Sequence, residues 1–211
     1  MIAKPFTMAG SLPRAWAAWV LAVVMLVLAP VLAPLPAFAA GSPQDFVDRT
    51  SSAFDAIRAK GTLSAQRAGC KSLVAKVFSL TALSRHVAGD NWRKLDPASM
   101  DALTSAVAFR LSEECAAVLR KSKTTGASVR KTRQTNAVLK VTALYPGPDD
   151  DNRVFVWSLT PGGPMGYRAV DLSIDGRSVV LTLRADFDAG LSARDGGIKA
   201  AIAAVRRGKR R

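Results

Sequence analysis

Residues 96–146 read DPASMDALTSAVAFRLSEECAAVLRKSKTTGASVRKTRQTNAVLKVTALYP, and the change of period inside this stretch decides the fold. From 97 to about 120, Met100, Leu103, Val107, Leu111, Cys115, Val118 and Leu119 recur at threes and fours, the spacing of one face of an α-helix. Asp96-Pro97 supplies the start, since an aspartate ahead of a helix accepts an orphan amide and proline is tolerated at the first helical position. Arg120 and Lys121 suit the negative end of the helix dipole. The predicted helix is about 36 Å long. From Ser128 onward the pattern alternates, with Ala137, Leu139, Val141 and Ala143 on one side and Val138, Lys140, Thr142 and Leu144 on the other, as in a strand. Helix therefore gives way to strand between Ser122 and Ser128, an α+β order.

Upstream, Phe46, Val47, Phe54 and Ile57 suit an amphipathic helix, and Leu73, Val74, Val77 and Phe78 suit a second. Downstream, the turn residues 146–152 separate this strand from further strands over 153–159 and 167–174. Asp175-Gly176 then predicts a hairpin turn into a strand over 178–184, giving an antiparallel meander of about four strands. The chain returns to helix around Ile198, Ala201, Ile202 and Val205, and it shows no internal repeat.

The first forty residues follow the three-part plan of a secretory signal. Lys4 and Arg14 precede an apolar run over 15–28, and Ala37-Phe38-Ala39-Ala40 closes the segment with small residues. A membrane anchor is the competing reading, because residues 16–40 carry no charge and approach a bilayer span of about 20 residues. Pro30, Pro34 and Pro36 oppose it, since proline breaks a continuous helix. The expected organisation is a signal peptide over 1–39 cleaved after Ala39, one α+β domain over 40–205, and a basic tail over 206–211. A domain of this size buries roughly 70% of the surface its unfolded chain exposes.

The leader carries two of the 30 Lys and Arg and none of the 16 acids, so the exported part has 28 minus 16, a net charge of +12. Such a balance implies an anionic partner or surface. Export removes nucleic acid from reach, whereas anionic lipid head groups are plentiful outside the cytoplasm, so peripheral membrane contact is the expected outlet. Arg120-Lys121-Ser122-Lys123, Arg130-Lys131-Thr132-Arg133 and the terminal tail are the basic strips that could serve it, or could simply be solvated. Cys70 and Cys115 both fall in the exported part, where an oxidising compartment allows a disulfide worth about 4 kcal/mol by chain entropy. Two buried thiols packed as small apolar residues are the alternative.

Catalytic chemistry finds little to use. His86 is the only histidine, so a metal cluster would have to be built from one imidazole, two cysteines and carboxylates without any spacing motif, and an ordinary surface or capping role suffices for His86. The chain has no nucleophile elbow, phosphate loop or Cys-x-x-Cys. Asp149-Asp150-Asp151-Asn152 lacks the glycine and glutamate of a calcium loop and reads as a solvated turn. Asp171, Asp175 and Asp186 have strand and turn roles without forming an acid–base pair. No enzyme activity, metal or cofactor is expected.

Two stretches carry a resemblance. Leu83-Ser84-Arg85-His86-Val87-Ala88-Gly89-Asp90-Asn91-Trp92 resembles a leucine–glycine–x–x–tryptophan element, and Val170-Asp171-Leu172-Ser173-Ile174-Asp175-Gly176-Arg177-Ser178, with Leu183-Arg184-Ala185-Asp186-Phe187, resembles the hairpin that follows it in the MlaC/toluene-tolerance family. Ala88, Arg177 and Leu183 depart from the family's usual leucine, valine and tyrosine, and Cys115 falls where tyrosine is common, which leaves a divergent branch such as the hopanoid-associated relatives open. The resemblance implies a cystatin-like roll, in which a curved antiparallel sheet and amphipathic helices surround an apolar pocket for acyl chains. It also implies a periplasmic, monomeric lipid carrier for phospholipid or a hopanoid-type lipid. Its implied partners are an inner-membrane lipid ABC transporter and an outer-membrane lipoprotein complex.

On that reading the sheet face bearing Leu139, Val141 and Val156, opposed by Val107 and Leu111, lines the lipid pocket; the same residues would equally serve as an ordinary core. A non-cargo adaptor of the same fold, and a hydrolase built on His86, are the competing functions.

Overall fold

The computed structural model describes residues 41–121, 126–146 and 151–208, apart from the side chains of Arg120 and Lys121. The expected signal peptide, Ser122 and Lys123 of the Arg120–Lys123 strip, most of the turn after Pro146 and the end of the basic tail lie outside the described residues.

Helix α1 (Pro43–Arg58) opens with a capping box: the Ser42 hydroxyl accepts from the Asp45 amide, and the Asp45 carboxylate accepts from the Ser42 amide. These bonds from Ser42 hold the Asp45 carboxyl below its usual range. Helix α2 (Leu63–Val77) and helix α3 (Leu80–Ala88) follow, then a short 3-10 turn (Gly89–Lys94) and the long helix α4 (Pro97–Lys121). The Asp96 carboxylate accepts from the Ser99 amide and hydroxyl at 2.9 and 2.7 Å, so Asp96-Pro97 is the helix start that the sequence predicts.

The strands are β1 (Ser128–Thr135), β2 (Val138–Pro146), β3 (Asn152–Pro161), β4 (Tyr167–Ile174) and the two-residue β5 (Arg177–Ser178). They form one antiparallel sheet in chain order. The expected α+β class and helix-packed antiparallel sheet are what the structure has, with five strands where about four were expected. The extra strand comes from a hairpin turn at Asn136-Ala137 within what the alternation presents as continuous strand. Asn136 sits at φ 52, a left-handed conformation that asparagine tolerates better than most side chains.

A second correction concerns residues 178–184. The hairpin at Asp175-Gly176 forms, both residues at positive φ, but only Arg177–Ser178 continues as strand, and helix α5 (Val179–Leu191) begins at once. The Ser178 hydroxyl caps it by accepting from the Leu181 amide. Asp171, in β4, reinforces that turn by accepting from the Val180 amide and the Ser178 hydroxyl. Val180, Leu183 and Phe187 are buried at helical spacing. The β-branched run at its start imitates a strand, and the cap overrides it.

Helix α6 (Ile198–Arg207) packs against α5 where Gly190 lets the backbones meet: a Cβ there would lie 2.5 Å from the Ala201 Cα. The helix runs two residues past the expected domain end at 205. Arg206 and Arg207 are its last turn rather than tail, and the Arg206 guanidinium sits 4.7 Å from the Phe109 ring.

Burial alternates along β2 and β3, with Val141, Ala143, Tyr145, Phe155, Trp157 and Leu159 on the inner face under the helices. Phe46 of α1 meets Trp157 edge-on at 5.4 Å and Tyr167 at 6.2 Å. The Gln44 side chain accepts from the Val129 amide, tying α1 to β1. Arg130, Lys131 and Arg133 are exposed on β1, an edge strand, where cations discourage pairing with another chain. The described helices include none long and apolar enough to cross a membrane.

Candidate functional site

An apolar cavity of about 70 Å³ lies between the helices and the inner face of the sheet. Helix α2 supplies Leu73, Val74 and Val77, and Phe78 follows at its end; α4 supplies Leu111, Cys115 and Val118; β3 supplies Phe155 and Trp157. These positions are three or four apart on the helices and two apart on the strand, so one face of each element is turned inward. The atoms exposed to the cavity are all apolar. Thr50 of α1 also lines it, but its hydroxyl donates to the Phe46 carbonyl at 2.7 Å and is not offered to a ligand.

The lining residues that are not fully buried mark the mouth. They are Phe54 on α1, Glu114 and Val118 on α4, Ile174 at the end of β4 and Val179 at the start of α5. The α2 side of the wall is fastened. Cys70 and Cys115 are joined as a disulfide with their Cα atoms 5.8 Å apart, linking α2 to α4. The end of α2 is held to β4, where the Ser79 amide donates to the Ala169 carbonyl at 2.9 Å and the Arg168 guanidinium donates to the Ala75 and Phe78 carbonyls.

Near the mouth, Asp175 is ion-paired to Arg153 at 2.6 Å. Partial burial would raise the Asp175 carboxyl, but bonds from Arg153 and from the Val154 amide outweigh that and hold it below its usual range. Burial pushes the Tyr145 hydroxyl up to about 12, with neighbouring Ser51 and Trp157 offsetting part of the rise, so it stays neutral at physiological pH.

Of the five residues expected to line a pocket, Leu111 lines this cavity. Val107, one turn earlier on α4, and Val141 on β2 are fully buried in the surrounding core, and Leu139 is half-buried beyond Val141. Val156 is on the other face of the sheet. It pairs with Thr142, whereas Val141 pairs with Trp157, so grouping Val156 with Leu139 and Val141 is off by one residue, and one residue reverses the face. The α2 side of the wall and the Phe155–Trp157 floor escaped sequence reasoning. Their periodicity is visible, but nothing in a single chain says which apolar helix lies over which strand.

His86 is exposed on α3 and takes no part in the lining. Among the described residues no three of His, Cys, Asp and Glu gather as metal ligands would.

The family profile described as MlaC protein matches residues 44–207, which take in all the helices and strands described above except the first residue of α1. The chain belongs to the MlaC family. A solved structure with this fold is the phospholipid-binding protein from Ralstonia solanacearum in complex with a phospholipid, at a TM-score of 0.65 and 14% sequence identity, covering 79% of this chain and 96% of that one. No curated protein matches the sequence significantly. For a MlaC-family chain, the cavity and its mouth are the natural candidate site, and at 14% identity the likeness lies in the architecture.

Proposed function

We propose that this chain is a periplasmic lipid carrier. It is exported on the signal peptide over 1–39, encloses the acyl chains of a phospholipid between α1, α2, α4 and the sheet, and shuttles lipid between an outer-membrane lipoprotein complex and an inner-membrane lipid ABC transporter. It acts by binding, without catalysis, metal or cofactor. The observation that supports this most is an apolar cavity whose lining includes partly exposed residues on α1, α4, β4 and α5, in a family fold whose Ralstonia relative holds a phospholipid.

The energetics fit. Each methylene taken out of water is worth about 0.8 kcal/mol, so two acyl chains in transit require on the order of 20 kcal/mol of shelter. Apolar contact is non-directional, which lets a carrier release its cargo to a membrane of similar polarity. A cavity of about 70 Å³ is well below the roughly 300 Å³ at which ligand pockets usually begin, so loading opens the wall. The disulfide and the α2–β4 bonds make α2 and α4 the fixed part and leave α1 and α5, on the other side of the mouth, as the part that yields. The strongly basic exported part favours encounter with anionic bilayers.

The small cavity also favours a second reading, an adaptor of the same fold with a collapsed cavity. Transfer between vesicles separates the two. Delipidated protein moving labelled phospholipid from donor to acceptor vesicles in proportion to its concentration is the expected result; transfer no faster than without protein favours the adaptor.

A further inference from the structure

We propose that the cavity mouth selects a zwitterionic head group over an anionic one, through Glu114 and Arg110; the inference rests on the lipid-carrier reading. Glu114 is the only ionisable side chain lining the cavity among the described residues. The atoms facing the cavity are apolar, so its stem forms part of the wall while its carboxylate, with the side chain 54% exposed, stands in solvent at the rim. Arg110, one helical turn earlier on α4, donates to that carboxylate at 2.7 Å.

Two other lining residues are followed in the chain by a paired carboxylate. Phe54 is followed by Asp55, paired to Arg58 at 2.9 Å, and Ile174 is followed by Asp175, paired to Arg153 at 2.6 Å. The chain as a whole carries a net charge of +14, yet the arginines paired to Glu114 and to these two carboxylates are engaged, Arg58 also with the Leu119 carbonyl.

That pairing decides which head group fits. A purely anionic head group that approaches Arg110 comes up against the Glu114 carboxylate paired to it, and the two like charges repel. A head group with both phosphate and ammonium replaces both partners at once: its phosphate oxygens accept from Arg110 and its ammonium donates to Glu114. Exposed ion pairs are weak, so the preference is modest, about threefold. It is a preference of the bound state. The net positive charge acts the other way on encounter, drawing the protein to anionic vesicles, so rates of loading do not report it.

The test loads delipidated protein to equilibrium from vesicles containing equal amounts of phosphatidylethanolamine and phosphatidylglycerol with matched acyl chains. The protein is then separated and its lipid identified by mass spectrometry. About threefold excess of phosphatidylethanolamine is expected, falling to parity or reversing in Glu114→Gln, and also falling in about 1 M salt, where the Debye length is about 3 Å. Glu114 is exposed, and an unchanged melting transition confirms that the variant folds. Equal loading, or a preference that Glu114→Gln leaves untouched, overturns the inference while the carrier reading stands. Protein that loads neither lipid overturns both.

Discussion

Reducing the Cys70–Cys115 disulfide lowers the stability of the domain by about 4 kcal/mol. The cross-link closes a loop across a sequence separation of 45 residues, and the chain-entropy relation gives that value for such a loop. For a domain of this size each kcal/mol shifts the melting temperature by about 2–4 °C, so reduction lowers it by on the order of 10 °C. Denaturant unfolding with and without reductant measures the difference, and Cys70→Ala with Cys115→Ala repeats it without reductant. The paired variant loses more than the cross-link, because Cys70 is fully buried and Cys115 lines the cavity, so reduction is the cleaner experiment. Coincident unfolding curves in the two conditions would show that the bridge does not constrain the domain.

Filling the cavity with Val74→Phe removes lipid uptake while the domain still folds. Val74 is buried on α2 and faces the cavity, so the ring enters the space that cargo needs. Overpacking costs about 1–3 kcal/mol, a loss most domains survive. Equilibrium loading from vesicles is therefore expected to fall by about tenfold or more, corresponding to about 1.4 kcal/mol of lost binding. Val156→Phe is the control. It adds the same ring on the outer face of the sheet and is expected to leave uptake unchanged. Equal uptake by wild type and Val74→Phe would place the cargo elsewhere; loss in Val156→Phe alone would put it on the outer face.

Much of the fold was legible because its signals are local. The α4 start at Asp96, the apolar stripe from Met100 to Leu119 and the Asp175-Gly176 turn each depend on residues within a few positions of one another. The errors came where local signals compete. Val179 and Val180 favour strand by shape, while the Ser178 cap, supported by Asp171 seven residues earlier in β4, starts a helix. Asn136 turns the chain without a glycine to mark the place.

The site was less legible than the fold, for a different reason. A cavity is a property of how elements cross, and Val107 and Leu111 sit one turn apart on α4 with identical sequence credentials, yet only Leu111 lines it. The Val156 error has the same origin: assigning a face needs the pairing register, and that is fixed by partners on β2. Glu114 reads in sequence as one more solvated charge on a helix. Its position at the mouth appears only once α1, α4 and α5 are brought together.

Native mass spectrometry of the protein, purified without detergent and followed by lipid extraction, tests the carrier account most directly. The account predicts protein carrying bound lipid as a stoichiometric adduct, with the extract identifying it as phospholipid or as a hopanoid-type lipid. Lipid-free protein that also takes up none from vesicles would contradict it and leave an adaptor of the same fold.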